Sequence, residues 1–224
     1  MASYDDNRTN RGLDKHVRDR LLDAAEELFA MKGFDGTSVR ELAAAADCNL
    51  ASVNYYFGGK DNLYLEVWRR QFNLLRQARI ASIERVLAKG DGEIELEDLL
   101  RSYATAFIEP LTDEGRSNRL IRLMAREIID PHLPRDMFLT EMIRPVMTAM
   151  RAALAKTCPG LPESTIPLQL ICIVGQLMHV GRVKAMFDQA GGAEWPRFDL
   201  NEAIEHIVKF SAAGIRAFVE GKSQ

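Results

Sequence analysis

At 224 residues, with 47% hydrophobic and 27% charged side chains, the chain is long enough for a small domain plus a larger one and can bury a core without covalent staples. Its three cysteines, Cys48, Cys158 and Cys172, are odd in number, far apart and outside any CxxC or Cys/His pattern; this excludes a disulfide framework and a zinc motif and fits a reducing cytoplasm. Net charge is −3, with 14 Lys/Arg against 13 Asp/Glu in residues 1–90 and 15 against 19 in the remainder, so phosphate binding must depend on which face carries the cations.

Taken in chain order, the start MASYDDNRTNRGLDKH is polar and lacks an apolar segment, so no signal peptide is expected and residues 1–13 read as a poorly ordered arm with Arg8 and Arg11. A helix is predicted from Asp14 to Lys32, its Val17, Leu21, Ala24, Ala25 and Leu28 on one face, with Gly33 as a left-handed stop. Ser38 and Glu41 form a capping-box pair opening a short helix to Ala45. Asn49 caps a third helix through Tyr56, broken by Gly58-Gly59. A long connecting helix is expected over 60–89, with a boundary at Gly90-Asp91-Gly92. Further helices are predicted over 95–109, 117–129, 135–156, 165–189 and 199–220, punctuated by proline and glycine. The fold class is all-α: a three-helix N-terminal domain (14–62) and a larger helical bundle (63–224). The longest apolar stretch, Leu168 to Val180, carries Gln169, Gln176 and His179 and is too short to span a bilayer, so a cytoplasmic protein without membrane contact is expected.

Two short helices joined by a tight turn have the form of a helix-turn-helix, whose second helix enters the DNA major groove. Val39, Leu42, Ala43 and Val53, with Phe29, Phe34 and Phe57, are candidates for a small core. Ala51, Ser52, Asn54, Tyr55 and Tyr56 then face outward. Small residues allow close approach to base edges, Asn54 can pair bidentately with adenine, and tyrosine hydroxyls can reach phosphates. The helix N-termini at Ser38 and Asn49 offer amides to phosphate.

Leu22-Asp23-Ala24-Ala25-Glu26-Glu27-Leu28-Phe29, Lys32-Gly33-Phe34, Gly36-Thr37-Ser38-Val39-Arg40-Glu41-Leu42-Ala43 and Val53-Asn54-Tyr55-Tyr56-Phe57-Gly58-Gly59-Lys60-Asp61-Asn62-Leu63 together resemble the TetR/AcrR family of bacterial regulators, over roughly residues 15–65. The Asn-Tyr-Tyr-Phe-Gly-Gly-Lys form, with Pro145 and Pro159-Gly160, resembles the CecR-like subset. The resemblance implies a homodimeric repressor on a palindromic double-stranded operator, released by a small-molecule inducer bound in the C-terminal domain. It also implies that Thr37 and Ser38 contact phosphate, that Arg40 touches backbone or base, that Ala51, Ser52, Asn54 and Tyr55 face the groove, and that Tyr56 and Lys60 grip phosphates. The chain departs from the commoner pattern at Asn54, where tyrosine is more usual, and at Gly58-Gly59.

In the C-terminal domain, the last two helices are candidates for the dimer interface. Small Gly175, Gly181, Ala212, Ala213 and Gly214 permit close approach, and Leu177, Met178, Phe187, Phe210, Ile215 and Phe218 supply apolar area. Pro145 frees the carbonyl of Glu141 and predicts a kink. Methionines at 124, 137, 142, 147 and 150 suit an adaptable apolar pocket, with Arg122, Arg126, Glu127, His132 and His179 as polar groups that would orient a ligand. Met142, Met147, Arg122, Arg126 and His179 are the working ligand set.

No nucleophile–base pair, phosphate loop or metal spacing occurs, so neither enzyme activity nor a cofactor or metal is expected; Gly-Gly-Lys-Asp at 58–61 has the wrong spacing for a phosphate loop. Two other readings stand beside a ligand-released repressor: a DNA-binding regulator controlled by a protein partner, and a helical module whose N-terminal resemblance is vestigial.

Overall fold

The computed structural model describes residues 6–89, 94–111, 114–190 and 199–220, with side chains described from Lys15 onward except at 111, 114–118, 185 and 187–190. The described residues form helices and loops with no strand: α1 (Asp6–Lys32), α2 (Val39–Ala45), α3 (Leu50–Phe57), α4 (Lys60–Leu87), α5 (Leu96–Ile108), α6 (Glu114–Ile129), α7 (Arg144–Thr157), α8 (Ile166–Ala190) and α9 (Leu200–Glu220). The all-α expectation holds. Gly90-Asp91-Gly92, Gly191-Gly192 and Pro196, read from the sequence as punctuation, lie outside the described residues.

The expected unstructured arm is corrected in part, because α1 begins at Asp6 rather than at Asp14. No proline interrupts residues 6–13, so the helix can extend outward from its packed turns.

Contacts divide the chain into two compact units, Met1–Asn73 with Gly115–Met137, and Leu74–Glu114 with Phe138–Gln224. In sequence α6 belongs to the second half, yet it packs with the first three helices. Helix α4 gives its residues up to Asn73 to the first unit and the rest to the second.

In the first unit, Leu21, Ala25, Phe29, Leu42, Val53, Leu63 and Val67 are all but inaccessible and form the core. Phe29, Phe34, Tyr64, Trp68 and Phe72 continue it as an aromatic row with ring centroids 5.0–6.4 Å apart. Helix α6 is tied in by polar contacts. Arg126 donates from Nε to the Ala30 carbonyl at 3.1 Å and from Nη2 to that of Met31, satisfying acceptors at the end of α1. Tyr64 donates to Glu127 at 2.6 Å, and burial together with that carboxylate pushes the phenol well above its usual range. Glu127 also accepts the amides of His132 and Leu133, which fixes the turn after α6. Buried Glu26 accepts from Arg70 at 2.5 Å and Gln71 at 2.7 Å, with Arg119 at 3.5 Å.

In the second unit, α9 turns Ile204, Ile207, Val208, Ser211, Ala212 and Ile215 inward, where it packs on α5 and α8. Arg101–Glu205 and Arg216–Glu97 tie α9 to α5. The kink foreseen at Pro145 is present as a π-helical turn, Leu139–Ile143, with Pro145 in the first turn of α7. The freed carbonyl of Glu141 accepts from Arg76 of α4 at 2.6 Å.

Candidate nucleic-acid interface

The helix-turn-helix is built by local capping. Ser38, in extended backbone, accepts the Glu41 amide at 3.2 Å, while Glu41 accepts the Ser38 amide at 2.9 Å and its hydroxyl at 2.8 Å. Those bonds and Lys32, 2.6 Å away, hold the Glu41 carboxyl down at about 2. Asp47, with φ 47°, makes the turn between α2 and α3 in the left-handed region that aspartate tolerates. Arg20 donates to the carbonyls of Ala46 and Asp47, both at 2.9 Å, closing the end of α2. Asn49 then caps α3 by accepting the Ala51 amide at 2.9 Å. Gly58, with φ 73°, ends it in the left-handed conformation expected there.

Helix α3 has two faces. Val53 and Phe57 are buried, each contributing roughly 1.5–3 kcal/mol by leaving water. Opposite them, Ala51, Asn54 and Tyr55 are exposed, Tyr55 at 75%, while Ser52 and Tyr56 are half-buried. Tyr55 and Tyr56 meet edge to face with centroids 4.8 Å apart. The outward face thus offers a carboxamide with both donor and acceptor, a phenol, and a small residue that lets the helix approach a base edge. Arg40 is exposed on α2.

Of the expected phosphate contacts Thr37 is corrected by its burial, while Ser38, Asn49 and Lys60 are engaged within the chain. Thr37 is 1% exposed, and its hydroxyl donates to the Gly33 carbonyl at 2.8 Å, with that of Leu28 at 3.3 Å, so it fastens the end of α1. The Ser38 hydroxyl and Asn49 carboxamide are engaged as caps, so the Glu41 and Ala51 amides are not free for an anion. Lys60 holds its ammonium over the Phe34 ring, 4.1 Å from the centroid. The fold also gathers Asp35 and Asp130, which no sequence motif singles out, with His132, expected from the sequence as a ligand-orienting group. Their ligand atoms lie within 4.8 Å of one another, and the His132 ring stacks on Phe34 at 4.4 Å. Only the fold brings Asp35 to Asp130 and His132, and no short motif signals it.

Residues 21–67 match the family model described as bacterial regulatory proteins, tetR family, and residues 103–214 match that of the tetracyclin repressor-like C-terminal domain. The second match spans half of the chain. The chain belongs to the TetR family. Two of its curated relatives are the HTH-type transcriptional dual regulator CecR of Shigella flexneri, 26% identical over 94% of both chains, and the probable HTH-type transcriptional regulator YttP of Bacillus subtilis, 28% identical over 57% of this chain and 58% of that one. A putative TetR-family regulator from Mesorhizobium loti shares the fold, with TM-score 0.64 and 21% identity over 91% of this chain and 96% of that one. So does PfmR from Thermus thermophilus, with TM-score 0.54 and 19% identity over 88% and 97%. This TetR-family chain is therefore a DNA-binding transcriptional regulator and not an enzyme.

Of the candidate dimer residues in this TetR-family bundle, Ala212 and Ile215 are fully buried within their own chain, because they lie on the stripe of α9 that packs against α5 and α8. The side chain of Phe187 lies outside the described residues. Gly175, Met178 and Phe218 are exposed, and with them Leu168, Ile171, Met186 and Phe210, the large side chains each 50–66% open. A Cβ added at Gly175 or Gly214 would meet nothing within 4 Å. The apolar segment around α8 is longer than 168–180: Glu163–Lys184 contains an 18-residue stretch at mean hydropathy 1.4, of which 22% is buried inside the chain.

The expected ligand set is divided between the two units. Met142 is buried and Met147 half-buried in the second unit, but Arg122 and Arg126 belong to the first, where Arg126 is engaged by α1 carbonyls. His179 is exposed beside Met178 on α8.

Proposed function

We propose that this TetR-family regulator is a cytoplasmic homodimeric repressor that reads a palindromic operator with α3 and leaves it when a small amphipathic molecule binds the second unit. The observation that carries the reading is the division of α3, with Val53 and Phe57 anchored in the core while Asn54 and Tyr55 stand in solvent on the opposite face. A major groove is the surface that such a face would meet.

The pairing is supported by the exposed apolar residues of α8 and α9. Leu168, Ile171, Gly175 and Met178 follow one another at spacings of three and four, so they form a single stripe, and Phe210, Gly214 and Phe218 repeat the pattern on α9. A contiguous apolar face of this kind on each of two helices suits an obligate symmetric interface. The 22-residue apolar segment of α8 is accounted for by the same partner, without a bilayer.

Release needs a ligand that favours one of two states. Two elements are placed to carry that preference. Helix α4 belongs to both units, and α6 grips the end of α1 through Arg126.

A fluorescence-anisotropy titration against the chain's own upstream DNA tests the proposal. Asn54→Ala is expected to weaken specific binding by about 1–3 kcal/mol while leaving binding to random duplex unchanged. Equal losses on both DNAs would remove Asn54 from base reading, and absence of binding at moderate salt would refute the repressor itself.

A further inference from the structure

Among the described residues of the second unit one half-buried cation stands without an anion. Arg79, on α4, has its Nε out of contact with solvent and without a hydrogen-bond partner. Its guanidinium carbon lies 4.1 Å from the centroid of the Phe107 ring on α5. Burial pushes it below the usual arginine range, and neighbouring Tyr103 acts electrostatically against that shift; among the described residues no carboxylate does. Arg76, one turn earlier, shows how the same helix settles a cation that has a partner, since it takes the carbonyl freed by Pro145.

A buried guanidinium Nε without an acceptor is costly, and a fold keeps one where something else completes it. Nε and an adjacent Nη form one edge of the guanidinium, two parallel donors that match the two oxygens of a carboxylate. The neighbours are aromatic and buried: Tyr103 and Phe107 are 3% and 5% exposed. Such walls suit a hydrocarbon or aromatic body attached to that carboxylate.

We infer that the effector of the second unit is an amphipathic carboxylic acid, bound as its anion with its carboxylate on Arg79 and its apolar body against Tyr103 and Phe107. This rests on the proposed ligand-responsive reading and names the ligand class. Arg122, Arg126 and His179 are then not the groups that orient it.

The test is thermal unfolding of the full chain with 2-naphthoate and octanoate, set beside their neutral amides and inorganic phosphate. The acids are expected to raise the melting temperature by about 2 °C or more at millimolar concentration, and the amides and phosphate to leave it unchanged. Arg79→Met keeps the length and the contact with Phe107 but removes the charge. Without ligand it is expected to melt no lower than the parent, and with the acids it gives no shift. Arg79→Lys keeps the charge without the fork and binds the acids about tenfold more weakly or worse. Equal shifts from acids and amides, a shift reproduced by phosphate, no shift from any acid, or a retained response in Arg79→Met would each overturn the inference. Acids that bind through Arg79 but leave the DNA complex intact would instead refute ligand-released repression, so the two failures are distinguishable.

Discussion

Replacing Thr37 by valine separates a hydroxyl that holds the helix-turn-helix together from one that touches DNA. Valine keeps the shape of a side chain that is 1% exposed, so packing is unchanged. What is lost is the 2.8 Å bond to the Gly33 carbonyl and the weaker approach to that of Leu28 at 3.3 Å. A net bond contributes about 0.5–1.5 kcal/mol, and a carbonyl left dry and unpaired costs about 1–3 kcal/mol. Gly33 is itself half-buried, so a loss of roughly 1–2 kcal/mol is expected, a sizeable part of the roughly 5–15 kcal/mol typical of a folded domain. Urea unfolding followed by circular dichroism reads this as a lower midpoint with an unchanged slope. Well below that midpoint, DNA affinity and its salt dependence should match the parent. A phosphate-contacting Thr37 would give the reverse, with stability unchanged and affinity reduced on every sequence. That result would refute the structural role given to its hydroxyl.

Ile171→Glu places an unpaired charge in the exposed stripe of α8 and is expected to convert the proposed dimer to single chains in sedimentation equilibrium; an unchanged dimer mass would move the proposed interface elsewhere. Arg126→Ala removes two guanidinium bonds from the end of α1 and should lower stability by about 1–2 kcal/mol, with faster amide exchange near Gly33. Unchanged exchange there would show that α6 does not hold α1. The Glu41 carboxyl, held at about 2 against an ordinary 4.5, supports the cap fully above pH 4.5, and that support is lost as the pH falls through about 2. A carboxyl NMR titration of Glu41 should show its midpoint near 2, and one near 4.5 would mean that the capping box does not persist in solution.

How much could be read beforehand divides along the range of the forces. The caps at Ser38, Asn49, Gly33 and Gly58 depend on residues within four positions of one another, so the helix-turn-helix was legible to within a residue or two. The Pro145 kink was legible for the same reason, though its consequence needed Arg76, 65 residues from Glu141. Thr37 looks like a phosphate ligand in one dimension, because threonine's choice between solvent and a backbone carbonyl is set by the fold. Both sides of α9 are apolar, so the sequence does not tell Ala212 and Ile215, which pack inside, from Phe210 and Phe218, which face out. The allegiance of α6 is less accessible still, since Arg126 and the carbonyls of Ala30 and Met31 are 95 or more residues apart. Arg79 carries no signal in the sequence, because a charge on a helix ordinarily sits in water.

Hydroxyl-radical footprinting on the upstream DNA tests the central claim most directly. A symmetric pair of chains presenting α3 predicts two equivalent protected patches centred one or more helical turns apart, about 34 Å or a multiple of it, on a sequence with two-fold symmetry. One patch, or uniform protection along the duplex, would contradict groove reading by the Asn54 and Tyr55 face of a paired molecule.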